Sequence, residues 1–474
     1  MFLKVAFLLI IALSLSAIPS LAQPEPLPFF EPSPCPVNFA SQAECGLVTV
    51  PQDREHPEER TVQLAVAVFK ARGENPAPDP LILLDGGPGS RTLDSYAGGL
   101  GAFLMRFNRT RDIILFDYRG MGYSDPALTC PESPAEGWEA ACRDRFAAEG
   151  VDFTDFTTRD NAADAADIIR ALGYESYNIW GGSYGSSVAM TLLRDHPENI
   201  RAAIVTALQA PQGDLQAGIP VYFQRTLDAI SALCEADPDC AAAFGGSLTE
   251  QVAVVVERLN ANPLPITVMG VDTALTGDNV LAGLGQLLKD EANIPIIPGL
   301  IAALYTEQYD LVMPYVSTLS QPPDPTLNPI GAYLSMRCTD SILATTPEAI
   351  TAALQAIHPA FREPYAHEHQ REVTQCQTWG ARLPTEADRL PAVTDTPVLI
   401  ISGALDPYSA QEWLDSTLAS LPNGHGFMLP YHLHYVIHNR CAARLLTGFI
   451  NDPTAEPNAS CMADIPAPTF RVSR

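Results

Sequence analysis

The chain has 474 residues, 47% of them hydrophobic and 18% charged, which suits one large domain with a sizeable insertion and excludes a disordered protein. A formal net charge of −27 and a pI near 4.6 exclude nucleic acid as a partner. The 42 prolines imply much ordered loop.

Residues 1–22 read as an export signal. Lys4 supplies the positive end, Val5 to Leu15 the apolar stretch, and Ser20-Leu21-Ala22 the small-x-small pattern of a cleavage site. The apolar run is short for a membrane span, and no later segment is apolar enough to be one. The expected mature protein is therefore secreted or periplasmic, with no stable membrane association. All ten cysteines follow the signal. Their spacing suggests five local disulfides: Cys35 with Cys45, Cys130 with Cys142, Cys234 with Cys240, Cys338 with Cys376, and Cys441 with Cys461. No C-x-x-C pair occurs, so no metal site is expected.

A Pro-rich leader, Gln23 to Pro36, reads as an extended arm. Cys45 to Pro51 and Thr61 to Lys70 then form an expected antiparallel hairpin. Leu81 to Leu84, Ile113 to Phe116, Tyr177 to Trp180 and Ala202 to Thr206 are short apolar runs typical of strands buried on both faces. Helical stretches lie between them, notably Asn161 to Leu172 and Ser186 to Asp195. From about Pro211 to residue 385 the pattern turns mainly helical and is broken by Pro and Gly. Pro397 to Ser402 restores a buried strand, Gly426 to Leu429 adds a last one, and Cys441 to Ile450 closes as a helix. The expected architecture is α/β: a mostly parallel sheet with helices on both faces. Residues 23–210 and 386–474 form its core, and residues 211–385 a helical cap.

Gly181-Gly182-Ser183-Tyr184-Gly185 lies directly after a strand and before a helix. In that setting G-x-S-x-G makes a sharp turn that lifts a serine hydroxyl above the sheet. A serine needs a base, and the base an orienting acid, in the chain order Ser, Asp, His for this architecture. Asp406, just past the strand Pro397 to Ser402, is the candidate acid. His425 precedes the last strand and His438 lies deep in the following helix, which leaves His432 and His434 undivided by spacing. Asp85-Gly86-Gly87-Pro88-Gly89 follows a strand at once, so Gly87 and Tyr184 are the candidate backbone donors to an oxyanion.

The set LLDGGPG (83–89), DYRGMGYS (117–124), GGSYGS (181–186) and SGALDPYS (402–409) resembles the proline iminopeptidase and tripeptidyl aminopeptidase group. Those are exopeptidases with the α/β-hydrolase fold and a helical cap. The resemblance runs from about Cys35 to Cys461. It implies that His434, seven residues before Cys441, is the base and that His432 falls on a glycine of the pattern. Two features depart from it: Asp85 stands where a histidine is common, and the glycines around the base are absent. The resemblance implies peptide substrates with a free amino terminus, no cofactor, and cap carboxylates that hold the amine. Asp340, beside Cys338, is our choice for that role, against the simpler reading that it caps a helix beginning near Ser341. An esterase is the competing enzyme, and a catalytically silent binding scaffold the competing class.

Overall fold

A computed structural model describes residues 27–133, 135–268, 271–320 and 329–472; the expected signal at 1–22 lies outside them. Runs of four apolar residues become the innermost strands because every side chain in them is buried: β4 (Leu81–Leu84) and β5 (Ile113–Phe116) have no exposed position. Around them β1 (Phe29–Pro32), β2 (Glu44–Pro51), β3 (Thr61–Phe69), β6 (Tyr177–Gly182), β7 (Ile200–Thr206), β10 (Val398–Gly403) and β11 (Gly424–Leu429) complete a nine-stranded sheet. Its order is β1-β2-β3-β5-β4-β6-β7-β10-β11. The first three strands and the β3–β5 pair are antiparallel, and β5 through β11 are parallel.

Parallel strands need crossovers, and the helices that make them cover both faces of the sheet. One apolar cluster on one face gathers Ile82, Ile114, Ile179, Val188 and Val205, and another gathers Leu83, Leu115, Trp180, Ile204 and Leu446. Helix α1 (Thr158–Ala171) starts on a Thr157–Asp160 capping box. It packs against α2 (Tyr184–Asp195), which follows β6. The leader contributes a strand that its proline content conceals: Phe29 and Phe30 pair with Thr49 and Val48. Proline is compatible with an edge strand, which is where β1 sits.

After β7 the chain leaves the sheet and returns only at β10. The intervening helices enclose a second core, with Phe223, Leu227, Val256, Leu284, Ile301 and Phe361 at its centre. They include α3 (Leu215–Ala236), α4 (Ile330–Arg337) and α5 (Pro359–Trp379). The region also holds an antiparallel pair, β8 (Leu264–Val268) with β9 (Val271–Leu275), which the helical reading did not include. Alternation in such short segments is too brief to stand out from the helices around it. The last helix, α6 (Arg440–Asn451), closes over the sheet.

Disulfides join Cys35–Cys45, Cys130–Cys142, Cys234–Cys240, Cys338–Cys376 and Cys441–Cys461. No cysteine among the described residues is free. Among those residues no helix is long and apolar enough to cross a membrane.

Candidate active site

Between β6 and α2 the chain reverses within one residue. Ser183 takes φ 55° and ψ −126°, a strained conformation for a non-glycine residue. The turn fits only because its neighbours lack side chains. A Cβ on Gly185 would lie 1.9 Å from the Leu84 carbonyl oxygen, and one on Gly181 would lie 2.3 Å from that of Gly185. The Ser183 N–H donates to the Thr206 carbonyl, which ties the turn to the neighbouring strand.

The loop after β10 carries Asp406, fully buried, and the loop after β11 carries His434, 6% exposed. His434 Nε2 lies 2.8 Å from Ser183 Oγ, and its Nδ1 lies 2.8 Å from Asp406 Oδ2. Ser409 Oγ donates to the same Asp406 oxygen at 2.8 Å, and the Tyr408 N–H donates to the other at 2.8 Å. A buried carboxyl group is tolerated only when its oxygens are hydrogen-bonded in this way. The acid loop is also stapled to the cap: Arg225 of α3 donates to the carbonyls of Asp406 and Ser409. His432 points elsewhere, with Nδ1 2.7 Å from the Pro430 carbonyl and Nε2 2.9 Å from Asn439 Nδ2. His425 lies within β11, and His438 ends a short turn after the His434 loop.

These groups open into a cavity of about 440 Å³ between sheet and cap. Its wall includes Gly87 and Tyr184 beside Ser183 and His434. The Gly86 N–H donates to the Asp85 carboxylate at 2.8 Å. Asp85 is enclosed, and burial raises its pKa. The Tyr184 hydroxyl turns away from the nucleophile to bond Thr158 Oγ1 at 2.8 Å and Asn161 Nδ2 at 3.0 Å.

Asp340 also lines this cavity. It accepts a hydrogen bond from Thr158 Oγ1, and burial pushes its carboxyl up to about 7. It does not cap a helix starting near Ser341. Instead, α4 runs directly into a wider π-type turn, Cys338–Ile342, with Asp340 at its middle. The Cys338–Cys376 bond fastens that turn to α5. Residues that the sequence reading missed complete the wall: Lys289, Arg337, Tyr333 and Tyr408. Lys289 and Arg337 had no distinguishing signal, because single basic residues in helical segments are ordinarily solvated surface.

The DYRGMGYS segment acts as a buttress and lines no part of the cavity. Asp117 accepts the N–H groups of Leu93 and Tyr123, and burial pushes its carboxyl up to about 6. Arg119, fully buried, donates to Asp164 and to the carbonyls of Pro51, Gln52 and Asp155. Among the described residues two groups come within metal-ligand distance of one another. They are Cys130–Glu132–Cys142, whose cysteines are bonded together, and Asp290–Glu291–His438; neither lines the cavity.

Residues 79–241 match the family model described as alpha/beta hydrolase fold, and residues 363–461 match that of TAP-like protein. The chain is 26% identical over 320 residues to the serine protease Hip1 of Mycobacterium tuberculosis, covering 61% of this chain and 58% of that one. It is 29% identical over 215 residues to a tripeptidyl aminopeptidase of Streptomyces lividans, covering 40% of this chain and 39% of that one. A proline iminopeptidase of Xylella fastidiosa is 29% identical over 136 residues, 28% of this chain and 34% of that one. The chain thus spans less than two thirds of the length of the curated relatives it matches. The chain has the α/β-hydrolase fold, and the curated proteins it resembles include tripeptidyl aminopeptidases and proline iminopeptidases.

Proposed function

We propose that the protein is an exported serine exopeptidase that cleaves peptides near a free amino terminus through an acyl-enzyme. The observation that carries this reading is the unbroken line of hydrogen bonds Asp406–His434–Ser183, ending on a strained nucleophile turn at the floor of a cavity. In the proposed reaction His434 Nε2 takes the Ser183 proton as Oγ attacks the scissile carbonyl. The N–H groups of Gly87 and Tyr184 stabilise the oxyanion, and His434 then gives the proton to the leaving amine. Water clears the acyl group by the same route in reverse. Asp406 keeps the imidazole in the tautomer that leaves Nε2 free to accept.

Asp340 is proposed to bind the substrate ammonium. Enclosure and the Thr158 hydrogen bond hold its carboxyl in one place, and an ammonium partner would restore the ionised form that burial disfavours. The one-domain-plus-cap organisation, with residues 211–385 as cap, gives the cavity its lid. Export is supported by the signal-like residues 1–22 and by the disulfides.

The test is a panel of aminoacyl and tripeptidyl chromogenic amides, their N-acetyl counterparts, and short-chain esters. The proposal expects turnover of free-amine amides well above the acetylated ones. Turnover of esters alone would replace it with an esterase. No turnover of any member, by folded protein that a fluorophosphonate leaves unlabelled, would replace it with a binding scaffold.

A further inference from the structure

The cavity wall carries an ammonium group for which the proposed chemistry has no use. Lys289 is partly buried in that wall, and its Nζ makes no hydrogen bond and no ion pair among the described residues. Its one close partner is the ring of Tyr408, 5.2 Å from Nζ to the centroid. An ammonium partly withdrawn from water with no anion bonded to it is unfavourable until an anion arrives. Burial lowers the Lys289 pKa, and the opposing pull of Asp406, itself countered by a smaller repulsion from Arg337, does not reverse that. In a chain with 55 acidic and 28 basic residues, leaving a lysine so placed without a carboxylate is a notable exception to the local supply of anions.

Its position is tied to one side of the site. The Lys289 carbonyl accepts the backbone N–H groups of both His434 and Tyr435, at 3.0 and 3.2 Å. Tyr408, under the ammonium, meets the His434 ring edge-on at 5.4 Å. Lys289 therefore belongs to the histidine flank of the cavity, and that is the flank where a leaving amine collects its proton. Asp340 is reached through the other neighbour of the nucleophile, by way of Tyr184 and Thr158. A peptide with its ammonium on Asp340 and its scissile carbonyl at Ser183 would send its leaving fragment past His434 toward Lys289.

Resting on the peptidase reading above, we propose that Lys289 is a specificity residue that binds a carboxylate on the leaving fragment. That carboxylate is either the C-terminal group of a short peptide or the side chain of an acidic residue just after the cleaved bond. The preferred substrates are then short or acidic peptides, and the ion pair forms only when substrate fills the cavity.

The experiment compares kcat/KM on three peptides with the same amino-terminal portion: one ending in a free carboxylate just after the cleaved bond, its C-terminal amide, and an amidated peptide with aspartate at that position. The expected wild-type preference for an anionic leaving fragment over the neutral amide is about tenfold or more, the value of a charge-assisted contact. A preference shown by the first peptide identifies the chain terminus as the anion, and by the third an acidic side chain. In Lys289→Met the preference is expected to fall to about one, and in Lys289→Arg most of it should return. A wild-type ratio near one, or a ratio unchanged in Lys289→Met, overturns the proposal while peptide turnover itself stands. The wild-type ratio decides alone if the variant does not fold. Failure to cleave any of the three would overturn the peptidase reading, and this inference with it.

Discussion

Ser183, Asp406 and His434 stand on turns that leave β6, β10 and β11, whereas Lys289, Arg337 and Asp340 stand on segments inserted between β7 and β10. The first set is saturated. Asp406 accepts three donors, His434 is bonded at both ring nitrogens, and the Ser183 backbone is braced by Thr206. In the second set Arg337 is bonded to Ser341 and Gln216, but the other two are sparsely bonded: Asp340 has Thr158, and Lys289 has only an aromatic face. A saturated group holds one geometry, as reaction chemistry requires. An enclosed and under-bonded charge holds free energy in reserve for a ligand, which is what recognition requires. On the proposed reading, the molecule separates the two tasks between the sheet and the helical segments inserted after β7.

The contrast breaks most visibly at the base. His434→Ala should lower kcat on the best chromogenic amide on the order of 10⁴-fold or more, because triad members act as a unit. His432→Ala removes only bonds to Pro430 and Asn439, so it should cost about 1 kcal/mol of stability and less than about tenfold in kcat. Equal losses from both would erase the distinction drawn between these histidines.

On the cap side, Asp340→Asn should lower the ratio of kcat/KM for a free-amine substrate over its N-acetyl counterpart by about ten- to a hundredfold. The pH dependence has a definite sign. Burial raises the Asp340 carboxyl to about 7, so in the free protein it is neutral below that pH and anionic above it. The ratio should therefore fall as pH drops through about 7 in the wild type and stay flat in Asp340→Asn; using a ratio cancels any titration common to both substrates. The same shift acts on folding in the opposite sense. A carboxyl whose folded pKa lies above its unfolded value of 3.8 favours the folded state as pH falls from about 7 toward that value. A flat wild-type ratio would remove Asp340 from amine recognition.

A smaller effect sharpens the role of the disulfide that fastens the Asp340 turn. Replacing Cys338 and Cys376 together by serine should cost about 4 kcal/mol in denaturant unfolding, given their separation of 38 residues. The free-amine preference should weaken with it, because the carboxyl is then held by Thr158 alone. A large stability loss with an unchanged preference would show that the turn needs no fastening.

The sheet half was legible from sequence because its signals are local. Four-residue apolar runs such as Leu81–Leu84 can be buried on both faces, and G-x-S-x-G between a strand and a helix has one mechanical meaning. The choice between His432 and His434 was not local, since both follow β11 within a few residues; it depended on resemblance until the ring contacts were visible. The cap half was mostly hidden. Lys289 meets His434 across 145 residues of chain through a backbone carbonyl, a contact that leaves no trace in side-chain pattern. The short pair β8–β9 and the edge strand β1 were missed for a related reason, because brief or proline-bearing strands carry little periodicity.

The central claim, that Ser183 is a nucleophile activated by His434, is tested most directly by reacting the protein with a fluorophosphonate and locating the adduct by peptide mass spectrometry. The account predicts one adduct per chain, on Ser183, formed rapidly by the wild type and at least about a thousandfold more slowly by His434→Ala. An adduct on another serine, or labelling of Ser183 at the same rate without His434, would contradict it.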